Sequence, residues 1–120
     1  MTILLVEDDE DFRHGLAENL RDDGHRVLAY PRPNQVPLEQ LEPIHLAITD
    51  YRMDRENGFA FANRLHRLWP KLPVILITAF STAVLERAVA DSGFISLLHK
   101  PLEYERMERL IADLTGYRPQ

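Results

Sequence analysis

The chain has 120 residues, a length that suits one domain, and its lack of cysteine excludes thiol catalysis and cysteine-based metal centres. Nineteen acidic residues outnumber fourteen basic ones, so the formal charge of −5 argues against direct binding to a nucleic-acid backbone. No apolar run approaches the ~20 residues that cross a bilayer, and no signal-peptide pattern opens the chain, so we expect a cytoplasmic protein without a membrane segment.

Short apolar runs predict five buried strands, at residues 2–6, 26–30, 44–49, 74–78 and 94–98. A helical pattern follows the first strand, where Phe12, Leu16 and Leu20 recur every four residues and Gly24 ends the pattern. Between the second and third strands, residues 31–43 contain four prolines, so a helix there is expected to be short or distorted.

Helical patterns also follow the last three strands. The first begins at Gly58, the second is expected to start from Ser81 as its N-cap and to end at Gly93, and the third carries Pro101 at its start. The residues expected to face the core from the first two of these helices are Phe59, Ala62, Leu65, Leu68 or Trp69, Val84, Leu85, Ala88 and Val89. The histidines are expected at surface or boundary positions without a catalytic role; they are His14, His25, His45, His66 and His99.

Strands that alternate with helical patterns predict an α/β domain in which helices cover both faces of a parallel sheet. Right-handed crossovers reduce the possible topologies to a doubly wound sheet, and five short strands favour the flavodoxin-like strand order 2-1-3-4-5. We therefore expect residues 1–120 to form one domain whose site lies at the carboxyl ends of the strands, near the switch point between strands one and three.

Polar residues stand just past the carboxyl ends of four strands, where such a site requires them. They are Glu7, Asp8 and Asp9 after strand one, Asp50 after strand three, Thr78 at the end of strand four, and His99 and Lys100 after strand five. Carboxylates gathered at one edge repel one another, and either proton uptake or a bound cation relieves that repulsion, with the cation favoured at neutral pH. All-oxygen donors favour Mg²⁺ over zinc, and a carboxylate can attack phosphorus, which makes Asp50 the candidate nucleophile.

Four segments together resemble the receiver domain of bacterial two-component response regulators. They are Leu4-Leu5-Val6-Glu7-Asp8-Asp9-Glu10, Asp50-Tyr51-Arg52-Met53 with Gly58 eight residues after the aspartate, Ile77-Thr78-Ala79, and His99-Lys100-Pro101. The resemblance covers essentially the whole chain. It implies a phosphoacceptor signalling domain that takes a phosphoryl group from a histidine kinase or phosphotransfer protein, then switches conformation to regulate an output domain or partner.

The resemblance also implies a role for individual residues. Asp50 would be the phosphoacceptor and would bind Mg²⁺ or Mn²⁺ together with Asp8, with Glu7 acting largely through water. The main-chain carbonyl of Arg52 would complete the protein ligands. Lys100 would contact the phosphoryl group or, before phosphorylation, the Asp50 carboxylate.

Two further donors follow from the same resemblance, because the Thr78 hydroxyl and the Ala79 amide would bond the phosphoryl group. Lys100-Pro101 resembles the family's cis peptide, although a trans proline at the first helical position stays open. We interpret Asp9 and the following acid as residues of the first helical turn, where the helix dipole favours negative charge.

The chain departs from the family at Leu97, three residues before the lysine, where an aromatic residue is usual. Coupling is therefore expected either to run through Thr78 and backbone motion alone or to be weak. Arg52 and Phe80 hold positions that influence the loss of the phosphoryl group in this family, and so bulky a pair predicts slow dephosphorylation. Dimerisation through the face of the last two helices and the last strand is plausible from the family.

We expect no enzymatic activity beyond self-phosphorylation and slow autodephosphorylation. The alternative is a degenerate receiver that acts as a phosphorylation-independent protein-binding module. An enzyme of the haloacid-dehalogenase type is a further rival, but it requires a second acid two residues after the nucleophile, where this chain has Arg52, and it is usually longer.

Overall fold

The computed structural model describes residues 1–119, which form a five-stranded parallel sheet in the order β2-β1-β3-β4-β5. The strands are β1 (Thr2–Val6), β2 (Arg26–Tyr30), β3 (Leu46–Asp50), β4 (Val74–Thr78) and β5 (Ile95–His99). The α-helices of the described residues are α1 (Glu10–Asp22), α2 (Gly58–Leu68), α3 (Ala83–Ser92) and α4 (Tyr104–Thr115). The predicted fold class and strand order are confirmed. None of these helices is both long and apolar enough to span a membrane.

Alternate side chains along the strands divide the core into two layers. Leu5 and Ile48 belong to the layer that packs against α1 and α4, whereas Leu4 and Leu76 belong to the layer against α2 and α3. Both faces of the sheet are thus covered by helices. This explains why the strands are continuous apolar runs instead of alternating polar and apolar residues.

The proline-rich segment between β2 and β3 contains only a 3₁₀ turn, Pro33–Gln35, in place of an α-helix. Val36 is buried in the layer against α2 and α3, and Leu38 and Leu41 pack on the same layer. The expectation of a short or distorted helix is confirmed, because proline removes the amide donors that a regular helix needs. The segment covers the sheet with turns and irregular chain.

Two expected helix starts are corrected by the structure. Thr82, not Ser81, is the N-cap of α3, since its hydroxyl accepts a hydrogen bond from the Leu85 amide at 3.1 Å. Both residues carry a hydroxyl, and the pattern alone does not separate neighbours. The Lys100-Pro101 peptide is cis and the last helix begins at Tyr104, so Pro101 is not the first helical residue.

Some predicted core positions also differ. Of the alternatives Leu68 and Trp69, Trp69 packs on the core while Leu68 is 53% exposed. Val84 is 81% exposed instead of facing the core, and Phe61, which was not among the expected core residues, is fully buried on α2. His25 was expected near the surface but is 6% exposed, because its ring packs against the Tyr117 ring at 4.2 Å. The strands β3 and β5 start two residues and one residue later than expected.

Candidate functional site

The carboxyl ends of β1, β3, β4 and β5 lie side by side and bring the predicted polar residues to one edge of the sheet. Backbone hydrogen bonds continue past the strand ends, from the Tyr51 amide to the Ile77 carbonyl at 2.7 Å and from the Lys100 amide to the Thr78 carbonyl at 2.9 Å. These bonds hold the first residues after β3 and β5 in register with β4. The side chains at this edge are therefore carried by or next to rigid strands, and strands hold the geometry of a site more precisely than loops do.

Carboxylate oxygens of Glu7, Asp8 and Asp50 all lie within 4.8 Å of one another. Glu7 is 1% exposed and Asp50 is 6% exposed, whereas Asp8 is open to solvent. Burial disfavours the charged form of a carboxyl group, and neighbouring negative charges add to that effect. Three acids so close together are therefore a source of electrostatic strain that a cation relieves.

Lys100 supplies one positive charge to this cluster. Its ammonium Nζ lies 2.8 Å from Oε1 of Glu7 and 3.3 Å from Oδ1 of Asp50. The resemblance implied contact with Asp50 before phosphorylation, and the structure shows that contact together with a shorter one to Glu7. Lys100 thus bridges the two buried acids.

The acids and the lysine shift one another's protonation. Burial raises the pKa of Glu7 to about 7, against the opposing effect of the hydrogen bond from Lys100. Burial also raises the pKa of Asp50, while the charge of Lys100 lowers it. Although burial alone would lower the pKa of Lys100, its hydrogen bond and charge interaction with Glu7 raise it, so the ammonium stays protonated at neutral pH.

The first turn of α1 closes the site on one side. The Asp9 side chain caps the helix by accepting a hydrogen bond from the Phe12 amide at 3.1 Å, as expected for a residue at a helix start. The Asp9 amide donates to Oε2 of Glu7 at 3.1 Å, and the Arg13 guanidinium donates to the Glu7 carbonyl at 2.8 Å. The helix start therefore fixes Glu7 through both its side chain and its backbone.

Thr78 is buried at the end of β4, and its hydroxyl is engaged within the following loop. The hydroxyl donates to the Phe80 carbonyl at 2.6 Å and accepts from the Phe80 amide at 3.1 Å. Ala79 lies between them and is exposed. The predicted phosphoryl donors are at the expected edge, but Thr78 is directed to the loop backbone, an arrangement that no sequence pattern indicates.

Arg52 and Phe80 meet across the mouth of the site. The guanidinium carbon of Arg52 lies 5.6 Å from the centroid of the Phe80 ring, within cation–π range, and Phe80 is 68% exposed. Beside this pair, Asp8 and Arg52 line an open cleft of about 420 Å³ together with Asp54. The bulky pair that the sequence predicts to shield the site is thus in contact.

Gly58 supports the site in a way that the sequence analysis missed. A Cβ atom placed on this residue would overlap the carbonyl oxygen of Asp50 and lie 2.8 Å from Cδ1 of Leu76. The Gly58 amide donates to the Tyr51 carbonyl at 2.8 Å, so the start of α2 packs directly on the backbone of the candidate phosphoacceptor. Its backbone dihedrals are ordinary, and only the close approach in space shows why glycine is needed.

A family model described as the response regulator receiver domain matches residues 3–112. An uncharacterised 14.6 kDa protein from Leptolyngbya boryana is 34% identical over 115 residues, which make up 92% of this chain and 87% of that protein. The response regulator protein FleR from Pseudomonas aeruginosa is 32% identical over 113 residues, which make up 92% of this chain but 24% of FleR.

The transcriptional regulatory protein ZraR from Salmonella typhimurium is 29% identical over 110 residues, which make up 91% of this chain and 25% of ZraR. The chain thus spans about a quarter of the length of FleR and of ZraR. Among solved structures, the non-phosphorylated HemR receiver domain from Leptospira biflexa superposes with a TM-score of 0.85 and 26% identity, over 99% of this chain and 98% of that one. The match of sequence, fold and strand-end geometry has one common explanation. The chain belongs to the response regulator receiver domain family.

Proposed function

We propose that residues 1–120 are a cytoplasmic receiver domain that accepts a phosphoryl group on Asp50 from a histidine kinase or a phosphotransfer protein. Receiver domains are signalling switches, and kinases and phosphotransfer proteins are their partners. The observation that carries the proposal for this chain is the buried Asp50 carboxylate, clustered with Glu7 and Asp8 and contacted by the Lys100 ammonium. That combination suits a nucleophile whose product carries additional negative charge.

Receiver domains bind Mg²⁺ through acidic residues, and the donor set of this chain fits such an ion. Its oxygens are close together, and Asp8 is exposed to a cleft from which a hydrated ion can approach. We propose direct ligation of Mg²⁺ or Mn²⁺ by Asp8, Asp50 and the Arg52 carbonyl, with Glu7 acting through water. When bound, the cation supplies charge neutralisation at the phosphoryl oxygens.

Transfer requires alignment and charge neutralisation more than covalent help from other residues. A carboxylate oxygen of Asp50 attacks phosphorus while the bond from phosphorus to the donor's imidazole nitrogen breaks, and that nitrogen keeps the electron pair. Lys100 exchanges its contact with Asp50 for one with a phosphoryl oxygen. The Ala79 amide and the Thr78 hydroxyl provide the remaining donors to the phosphoryl oxygens.

The direct test is phosphorylation by acetyl phosphate in the presence of Mg²⁺, followed by intact mass spectrometry. We expect the wild-type chain to gain one phosphoryl group and Asp50→Asn to gain none, because an amide cannot attack phosphorus. Chelation of the divalent cation should also abolish the gain. Asp54→Asn, which changes an exposed acid beside the same site, is the matched control and should be modified like the wild type.

Labelling of Asp50→Asn at the wild-type rate would show that another residue is the acceptor. A wild-type chain that neither gains a phosphoryl group nor changes in response to beryllofluoride would overturn the proposal in favour of a phosphorylation-independent binding module. Continuous turnover of acetyl phosphate at the rate of an enzyme would instead indicate a phosphatase.

Coupling to an output is proposed to run through Thr78. To donate to a phosphoryl oxygen, its hydroxyl has to release the Phe80 carbonyl, and this moves the loop between β4 and α3. That loop leads into the face formed by α3, β5 and α4, which we propose as the dimerisation surface and on which Val84 is 81% exposed. Leu97 packs against the layer below α3 and provides no aromatic switch.

We expect Thr78→Ala to accept a phosphoryl group but to lose phosphorylation-dependent self-association, measured by sedimentation velocity. The reason is that alanine keeps the nucleophile and the acids while removing the hydroxyl that links the phosphoryl group to the loop. Leu97→Tyr restores the family's aromatic residue and serves as the comparison. If phosphorylated Thr78→Ala self-associates at the wild-type level, the proposal that coupling runs through Thr78 is contradicted.

The lifetime of the phosphoryl group is expected to depend on Phe80. Replacement by alanine removes the ring that contacts Arg52, opens the mouth of the site to water, and should shorten the half-life by about threefold to tenfold. The half-life is measured from the decay of phosphorylated protein after removal of acetyl phosphate. Leu68→Ala, which trims an exposed apolar side chain on α2, is the control, and an unchanged half-life in Phe80→Ala would count against shielding.

A further inference from the structure

Phe12 lies against the ammonium of Lys100, a contact that neither its helical pattern nor the proposed reaction accounts for. The distance from Nζ of Lys100 to the centroid of the Phe12 ring is 4.4 Å. Phe12 was expected to be a core residue like Leu16 and Leu20, which share its stripe on α1. Those two are buried, but Phe12 is only half-buried, because the first turn of α1 lies at the edge of the sheet.

Hydrogen bonds at the start of α1 fix the backbone that carries the Phe12 ring. The Phe12 amide donates to the capping carboxylate of Asp9, and the next residue, Arg13, donates to the Glu7 carbonyl. The first turn of α1 is thereby fixed to the end of β1. The same ammonium contacts the carboxylate oxygens of Glu7 and Asp50, so the ring and the two acids are its neighbours together.

We infer that Phe12 is a positioning residue for Lys100, an inference that rests on the proposed function. The face of an aromatic ring attracts a cation without accepting one of its N–H bonds. The ammonium is therefore held at the site while its N–H donors stay available to exchange a carboxylate for a phosphoryl oxygen. An aliphatic side chain of similar size would cover Lys100 but would not attract it.

The contact has a spectroscopic signature, because a ring above the Lys100 side chain shifts its terminal methylene resonances upfield. The chain has two lysines, so protein labelled with ¹³C at lysine Cε gives one signal for Lys100 and one for the exposed Lys71, which serves as the internal reference. We expect the upfield shift of Lys100 to be lost in Phe12→Leu and kept in Phe12→Tyr. The Lys71 signal should be the same in every variant.

The functional consequence is measured as the rate of phosphorylation by acetyl phosphate at saturating Mg²⁺. We expect Phe12→Leu to react about threefold to tenfold more slowly than the wild type. Phe12→Tyr, which keeps an aromatic ring, should react at the wild-type rate. A purely structural role of Phe12 in packing α1 would not distinguish these variants by aromaticity. Melting temperatures measured in parallel show that both are folded.

Two results would overturn the inference: a Lys100 signal at the unperturbed position in the wild type, or a wild-type rate in Phe12→Leu. Either result would leave phosphorylation of Asp50 intact. Failure of the proposed function has a different appearance, since the wild-type chain itself would then gain no phosphoryl group. In that case the Lys100 signal still decides whether Phe12 positions the ammonium.

Discussion

Gly58→Ala is expected to lower the free energy of unfolding by about 3 kcal/mol and to slow phosphorylation of Asp50 by about 100-fold. The added methyl group would overlap the Asp50 carbonyl oxygen and approach its carbonyl carbon to 2.9 Å. Backbone atoms cannot turn away as a flexible side chain can. Either α2 or the end of β3 has to move, and both movements displace the candidate nucleophile. Urea denaturation and acetyl phosphate labelling measure the two effects.

Gly15→Ala is the matched control for this substitution. Gly15 also lies in a helix, but a Cβ atom there would have no neighbouring atom within 4 Å. Alanine has the higher helix propensity, so this variant should gain about 0.5–1 kcal/mol of stability and keep the wild-type rate of labelling. The same chemical change is thus expected to have opposite signs at the two positions. A Gly58→Ala variant as stable as Gly15→Ala would show that α2 does not pack on Asp50 as described.

The sheet could be predicted from the sequence because burial on both faces leaves a simple pattern. The strands β1, β2 and β4 match their predicted residues. The acids from Glu7 mark the end of β1, Pro31 follows β2, and β4 is a continuous apolar run that ends at Thr78. The start of β3 was less visible. Ile44 and His45 continue the apolar pattern ahead of the strand, but they precede its first paired residue, Leu46.

The sequence also predicted which residues lie together at the candidate site, because parallel strands bring their carboxyl ends to one edge of the sheet. The sequence did not predict which partner each of these side chains contacts. Lys100 lies nearer to Glu7, 93 residues away in the sequence, than to Asp50. The Thr78 hydroxyl bonds the backbone two residues further on, a local alternative that threonine always has. Choices of this kind are made by side-chain conformation, which a sequence pattern does not record.

The structure gives the adjacent acids Asp8 and Asp9 different roles, because Asp8 lies in the acidic cluster and Asp9 caps α1. The second large effect is expected at Asp8. Asp8→Asn should weaken Mg²⁺ binding by about 100-fold, because it removes a full negative charge and the proposed anionic ligand from the acidic cluster. Its stability without divalent cations should be unchanged or slightly higher, since repulsion within the cluster falls. Isothermal titration calorimetry gives the affinity, and the rise of melting temperature with Mg²⁺ gives an independent value.

Asp9→Ala removes the same charge one residue later and should have the opposite profile. Its carboxylate caps α1, so its loss should cost about 1 kcal/mol of stability, as is typical of an N-cap. Affinity for Mg²⁺ should fall less than about threefold, because Asp9 contributes only a more distant charge in high-dielectric solvent. Equal losses of affinity in the two variants would mean that the cluster acts through total charge alone. A larger loss of affinity in Asp9→Ala than in Asp8→Asn would show that Asp9, and not Asp8, is the metal ligand. Asp8 would then be removed from the proposed site.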